Sequence, residues 1–235
     1  MEKVGAVMVV GAGIGGCQAA LDLAESGFKV YLVEKTTSIG GAMAQLDKTF
    51  PTNDCAICIV SPKLVEAGRH PNIEIKINSD IENISGESGN FKVEINEKTL
   101  YVDQEKCTGC GVCGQECPTE AVDIFNEGLS LNKAASVKYP QAVPLVYAIN
   151  KDICIGCGIC RGVCKANAID YDLKDRKSQL NVGSIILALG FEEFDPSINK
   201  NLGFGKYKNV VSSIQFERIL SASGPYSGKV LRPSD

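Results

Sequence analysis

Apolar residues form short unbroken runs near both ends of this chain and alternate with polar ones between them. Val4–Gly11 is an apolar run halted by glycine, the pattern of a strand buried on both faces. Ile14–Ser26 places Cys17, Ala20, Leu21 and Ala24 at helical spacing, and Gly27 suits the end of that helix. Lys29–Glu34 is a second β-branched run, so the chain opens on a β-α-β unit. Thr36–Pro51, around Gly40-Gly41, predicts a short helix, Lys63–Gly68 another, and Ile73–Ile77 a strand. Ile81–Ser85, Phe91–Asn96 and Lys98–Val102 alternate between turns, which predicts an antiparallel meander. Gly183–Leu189 returns to the buried-strand pattern before Gly190, and Ser213–Ala222 predicts a last helix.

From Asp103 to Tyr171 the pattern changes, with dense cysteines and frequent Gly and Pro. Asp103–Ile124 and Asn150–Tyr171 repeat one plan: a cysteine cluster, then Ala-Val-Asp-Ile or Ala-Ile-Asp-Tyr. The expected organisation is a discontinuous α/β domain, 1–102 and 172–235, with 103–171 inserted into it. Elements of one sheet should anchor both ends of the insert, so they should emerge close together.

Composition adds boundaries. Hydrophobic content is 44%, charged content 22% and net charge −4, which is ordinary for a globular chain and offers no basic footprint for nucleic acid. No apolar run approaches the roughly 18–20 residues of a membrane span. Met1-Glu-Lys-Val-Gly lacks the long apolar core of a signal peptide, so the cytoplasm is the expected location. Of eleven cysteines, eight fall in two tight clusters, a layout that suits metal or redox chemistry better than a disulfide framework.

The first cluster, Cys107, Cys110, Cys113 and Cys117 followed by Pro118, is C-x2-C-x2-C-x3-C-P, the bacterial ferredoxin run. The second, Cys154, Cys157, Cys160 and Cys164, repeats it with Lys165 in the proline position. Three thiolates two residues apart wrap one face of a cubane, and in two-cluster folds each run lends its last cysteine to the other cluster. That assigns Cys107, Cys110, Cys113 and Cys164 to one [4Fe-4S] cluster and Cys154, Cys157, Cys160 and Cys117 to the other. Zinc is the competing reading, but zinc ribbons use separated CxxC pairs rather than triplets with a trailing fourth cysteine.

Gly11-Ala-Gly13-Ile-Gly15-Gly16 fits GxGxxG between a strand and a helix. Gly11 allows the tight turn, Gly13 a close approach to pyrophosphate, and Gly16 close helix–strand packing. Glu34 ends the second strand, about where a ribose-binding acid belongs. A bare glycine turn without ligand is the alternative. Gly40-Gly41, the meander and the strand ending at Gly190 favour FAD over NAD, a layout resembling the FAD half of glutathione-reductase-like flavoproteins. Lys35 is a further candidate for the cofactor's phosphates, set against a simply exposed side chain.

Cys55-Ala-Ile-Cys58 admits three readings: a redox pair near the flavin, part of a third metal site, or two small structural residues. Cys17 reads as core. His70, the sole histidine, has no partner constellation for a hydrolytic triad and reads as a loop residue.

Several segments together resemble the family of A-type, flavin-bearing heterodisulfide reductase subunits: Thr49-Phe-Pro-Thr-Asn-Asp-Cys-Ala-Ile-Cys, Gly68-Arg-His-Pro-Asn, Lys106-Cys-Thr-Gly-Cys-Gly-Val-Cys, Pro140-Gln-Ala-Val-Pro and Phe216-Glu-Arg-Ile-Leu-Ser-Ala-Ser-Gly. The resemblance implies a Rossmann-like FAD-binding domain of glutathione-reductase type carrying an inserted α+β two-cluster ferredoxin domain. It implies an oxidoreductase component that splits or relays electrons between FAD and two [4Fe-4S] clusters. Implied partners are B- and C-type subunits, an electron-donating hydrogenase or dehydrogenase, and ferredoxin. Against the family pattern, this stretch is expected to lack the N-terminal cluster domain of some members and to stop before the second half of the reductase fold. The alternatives are therefore a cluster-only electron-wiring module without stable flavin at this length, and a docking component with vestigial motifs.

Overall fold

The computed structural model describes residues 3–235. In chain order come β1 (Ala6–Val10), α1 (Ile14–Glu25), β2 (Lys29–Val33), the two-residue strands β3 (Lys48–Thr49) and β4 (Asp54–Cys55), α2 (Ala56–Arg69), β5 (Ile73–Lys76), β6 (Ser79–Glu87) and β7 (Asn90–Glu97). The cysteine-rich stretch holds α3 (Val112–Gln115), β8 (Glu120–Val122), β9 (Leu131–Lys133), β10 (Ala135–Ser136), β11 (Ala148–Ile149) and α4 (Ile159–Val163). Then follow β12 (Arg176–Val182), β13 (Ser184–Leu187) and α5 (Ser213–Leu220).

A parallel sheet in the order β13-β1-β2-β5 is covered on both faces. Val9, Val30 and Leu32 pack towards Cys17, Ala20 and Leu21 of α1 and Val60 and Leu64 of α2. The alternate residues Ala6, Met8 and Val33 pack on Val93, Ile95, Leu180 and Val182 of an antiparallel sheet, β12-β7-β6. Burial on both faces explains the unbroken apolar runs of β1 and β2. Each such Val, Leu or Met contributes roughly 1.5–3 kcal/mol by leaving water.

Three expected elements need correction. The third strand of the meander is β12, which pairs with β7 from Arg176↔Glu97 to Val182↔Phe91, and not Lys98–Val102. The late strand β13 joins the parallel sheet beside β1, not the meander. The helix expected over Lys63–Gly68 starts two turns earlier, at Ala56, and contains Pro62.

The cysteine-rich stretch leaves after β7 and rejoins at β12, two neighbouring strands. Its ends are zipped together. The Thr99 amide donates to Asp175 Oδ1 at 2.9 Å, Asp103 N to Ala168 O at 2.7 Å, and Asp170 N to Tyr101 O at 3.0 Å. Phe125, Tyr139, Val146, Ile149 and Ile169 share one continuous core with α1 and α2.

Candidate functional site

The glycine loop sits between β1 and α1. Gly11 has φ +92° and a side chain there would lie 2.3 Å from Ala188 O, on the strand end that carries Gly190. Gly16 faces Gly11 O so closely that no Cβ fits. Gly13 has an extended backbone and caps α1 without any side-chain hydrogen bond, and no acid stands in the first turn. The first intrahelical bond runs from Cys17 N to Gly13 O, leaving the preceding amides without helical partners, an arrangement that suits an anion. Gly41, in a 3₁₀ turn over Gly41–Ala44, approaches Gly13 so that a Cβ on it would lie 2.8 Å from Gly13 Cα. Two side-chain-free residues thus face each other beside the open helix end.

Glu34 is buried at the end of β2, and both its oxygens are engaged. The Ala12 amide donates to Oε2 at 2.8 Å, and the Thr36 amide and hydroxyl donate to Oε1 at 3.0 and 2.8 Å. Its carboxylate therefore holds the glycine loop in shape and retains acceptor capacity for a ribose hydroxyl. Ser38 Oγ nearby in sequence is buried without a partner. An uncapped helix start, a cradle that only glycine leaves open and an orphaned buried hydroxyl fit a dinucleotide's pyrophosphate and sugar. Lys35 is exposed. Lys138, from the cysteine-rich stretch, donates to Thr36 Oγ1 at 2.8 Å, and burial lowers its pKa against the pull of Glu34. No motif marked Lys138. It reaches this site only through tertiary packing.

The eight clustered cysteines are all free and line two separate cavities. One is lined by Cys107, Cys110, Cys113 and Cys164, with Tyr147 at its wall. The other is lined by Cys117, Cys154, Cys157 and Cys160, with Tyr171 at its wall. The internal repeat is why the two match. Gly111 and Gly158 cap α3 and α4 in the same left-handed conformation, φ +84° and +75°. Cys107 N bonds back to Asp103 O and Cys154 N to Asn150 O, at 3.0 and 3.1 Å. Around Cys117, burial acts to raise the thiol pKa, but the Thr119 hydroxyl and the amides of Thr119, Ala135 and Ala134 aim at the sulfur and bring it below the ordinary value. Burial pushes Cys113 up to about 11. Among the described residues no three His, Cys, Asp or Glu groups have the spacing of a single-ion site. Four cysteines around each cavity fit a cubane, whose four irons each take one thiolate.

Cys55 and Cys58 are joined as a disulfide at the start of α2, with the Cys58 amide donating to Cys55 Sγ at 3.3 Å and Cys58 exposed. Cys17 is buried core, and its thiol is raised to about 12, chiefly by burial. His70 follows α2, its Nδ1 accepting from Asn72 N at 3.1 Å, a turn-forming role. Among the described residues no helix is long and apolar enough to cross a membrane.

A parallel sheet with a glycine turn at its first strand end, backed by an antiparallel meander, defines a dinucleotide-binding oxidoreductase, and the family model described as pyridine nucleotide-disulphide oxidoreductase matches residues 5–225. The chain belongs to that family. Within it, the chain is similar to the A-type subunits of heterodisulfide reductases. Identity is 48% over 228 residues with the A-type subunit of the H(2):CoB-CoM heterodisulfide,ferredoxin reductase of Methanothermobacter marburgensis, covering 97% of this chain and 35% of that protein. It is 52% over 228 residues with the second A-type iron-sulfur subunit of the CoB--CoM heterodisulfide reductase of Methanopyrus kandleri, with the same coverage. The A-type subunit of the H(2)/formate:CoB-CoM heterodisulfide,ferredoxin reductase of Methanococcus maripaludis is also 52% identical, again with 35% of its length covered. The chain thus spans about a third of these relatives. Among solved structures, the L-proline dehydrogenase from P.horikoshii matches 39% of this chain and 19% of its own at 24% identity, with a TM-score of 0.35.

Proposed function

We propose that this chain is the FAD- and cluster-bearing part of a heterodisulfide-reductase-like electron-transfer subunit. The observation that carries the reading is the sorting of eight cysteines into two cavities of four, in a stretch packed on residues 36–45, the segment that abuts the glycine loop. FAD exchanges electrons in pairs or singly and [4Fe-4S] clusters carry them singly, so a fold holding both is suited to splitting or relaying an electron pair. The chain's residues serve that task by position. The amides opening α1 and the Gly13–Gly41 cradle hold the pyrophosphate, Glu34 takes the ribose, and the ferredoxin-type runs hold the clusters. The Cys55–Cys58 pair adds a group able to take two electrons and two protons on opening to the dithiol. The names of the relatives support a hydrogenase or formate dehydrogenase as donor and ferredoxin as one acceptor; B- and C-type subunits and a cytoplasmic location complete the proposal.

The test is to purify the protein anaerobically and assay flavin, iron and sulfide together. About eight iron atoms per chain are expected for two cubanes. Stoichiometric zinc with little iron would sink the cluster assignment. Eight iron atoms without a visible flavin spectrum would favour the second reading, a cluster-only wiring module at this length.

A further inference from the structure

Arg218 of α5 is 1% exposed, yet among the described residues no carboxylate lies within ion-pair distance of it. Its nitrogens donate instead to Asn126 Oδ1 at 2.9 Å, Gln45 O at 3.0 Å and Ser223 O at 3.0 Å. Asp123 and Asp47 act on it only through space, and burying a guanidinium without a direct ion pair is costly, while apolar side chains of similar volume often stabilise a core as well or better. What an apolar residue could not supply is the geometry. Two of those acceptors belong to segments far apart in sequence, the 3₁₀ turn after β2 that leads into Gln45 and the cysteine-rich stretch that holds Asn126.

The contact continues in a line. The guanidinium lies over the Phe125 ring at 4.9 Å, and Phe125 stacks on Tyr139 with centroids 5.2 Å apart and planes at 17°. The Tyr139 hydroxyl donates to Ile39 O. Next to it, Gly40 has φ +124°, and a Cβ there would lie 2.6 Å from that hydroxyl, so the tyrosine's seat exists only because residue 40 is glycine. Gly40 N bonds to Ala12 O at 2.7 Å inside the glycine loop, and Gly41 meets Gly13. Gln45 Nε2 ties the same two segments again, to Phe125 O at 3.0 Å and Glu127 Oε1 at 2.9 Å.

We propose that Arg218, Phe125 and Tyr139 form a pillar that fixes the cysteine-bearing stretch at a set separation from the dinucleotide loop, with Arg218 and Tyr139 as positioning residues for electron transfer between the two. The proposal rests on the FAD and cluster reading above. Electron tunnelling falls off exponentially with separation, so a stretch held at one distance transfers at one rate, whereas a loosened stretch samples longer distances and transfers more slowly.

The experiment uses the full-length protein with both cofactors loaded, and compares wild type with Tyr139→Phe and Arg218→Met. Flavin and iron contents are measured first. A wild type lacking either would overturn the cofactor reading, separately from the pillar. Pulsed electron paramagnetic resonance then reads the distance distribution between the flavin radical and the nearest reduced cluster, and flash reduction reads the transfer rate. The pillar predicts a broadened, lengthened distribution and slowed transfer in both variants, compared in preparations with full flavin and iron content. In the cofactor-free chain it predicts faster amide exchange in residues 39–47 and 125–128 together. Wild-type distances and rates in both variants, even with a lowered melting temperature, would mean a purely structural role and overturn the proposal. If Arg218→Met fails to fold, Tyr139→Phe, which removes one hydroxyl, decides alone.

Discussion

Gly11 and Gly13 stand two residues apart and carry different burdens. Gly11 adopts a left-handed backbone and abuts Ala188 O, so Gly11→Ala should cost the fold roughly 1–3 kcal/mol in backbone strain, before the clash is counted. Gly13 has φ −72° and ψ −174°, open to any residue, and the nearest atom to an added Cβ is Gly41 Cα at 3.9 Å. Gly13→Ala should therefore escape backbone strain and cost the fold less than about 1 kcal/mol, the difference between glycine and the poorer N-cap alanine, while flavin retention falls. A larger loss of stability with retained flavin would reverse the assignment of the two positions. Glu34→Gln should weaken flavin binding by roughly 1–2 kcal/mol as charge-assisted hydrogen bonds become neutral ones. A dissociation constant equal to wild type would count against its ribose role. The glycines and Glu34 were readable from sequence because each answers to local backbone geometry at fixed spacing. Lys138 was not, since it meets Thr36 across a distance in the chain that no motif spans.

Among elements, the first two turns of α2 and the whole of β12 stayed hidden in the sequence, for opposite reasons. α2 begins at Ala56, but Pro62 reads as a breaker, costing about 3 kcal/mol in a helix interior. Ala56, Val60, Leu64 and Ala67, all fully buried at helical spacing, offset it. β12 is hidden by its polarity. Of Arg176–Val182 only Leu180 and Val182 are buried, because one face of the meander meets water. The cysteine runs were legible because their spacing alone dictates what they can wrap. Their crossed grouping gives an element-level prediction. Cys117→Ala should damage the cluster held by Cys154, Cys157 and Cys160, and Cys164→Ala the one held by Cys107, Cys110 and Cys113. Loss of the neighbouring cluster in each variant, read by electron paramagnetic resonance, would overturn the crossed assignment.

At the scale of the molecule, the α/β class was legible from the opening β-α-β unit and the glycine turn, and the close approach of the insert's two ends from the sheet they leave and rejoin, whereas its far-side attachment was not. Nothing local marks Phe125, Tyr139 or Arg218 as neighbours. The stretch is held twice, by the zipped strands at its base and by the aromatic stack at its far side. Asp175→Ala should loosen only the first, through the lost bond to Thr99 N, and so raise amide exchange at 98–103 while leaving 125–128 protected. Exchange rising equally in both would show that the two attachments are one cooperative unit. The crossed grouping of cysteines also has a consequence for how the protein is made. The ribosome delivers Cys107, Cys110 and Cys113 early, but their fourth thiol, Cys164, only after the second run is complete, and Cys117 waits for Cys160. For the ligation proposed above, neither site can be filled on a half-made chain, and both become complete within a few residues of synthesis. Cluster loading is then timed by the progress of translation past Cys164, and a polypeptide interrupted before that point carries open thiols and no finished cubane at its first run.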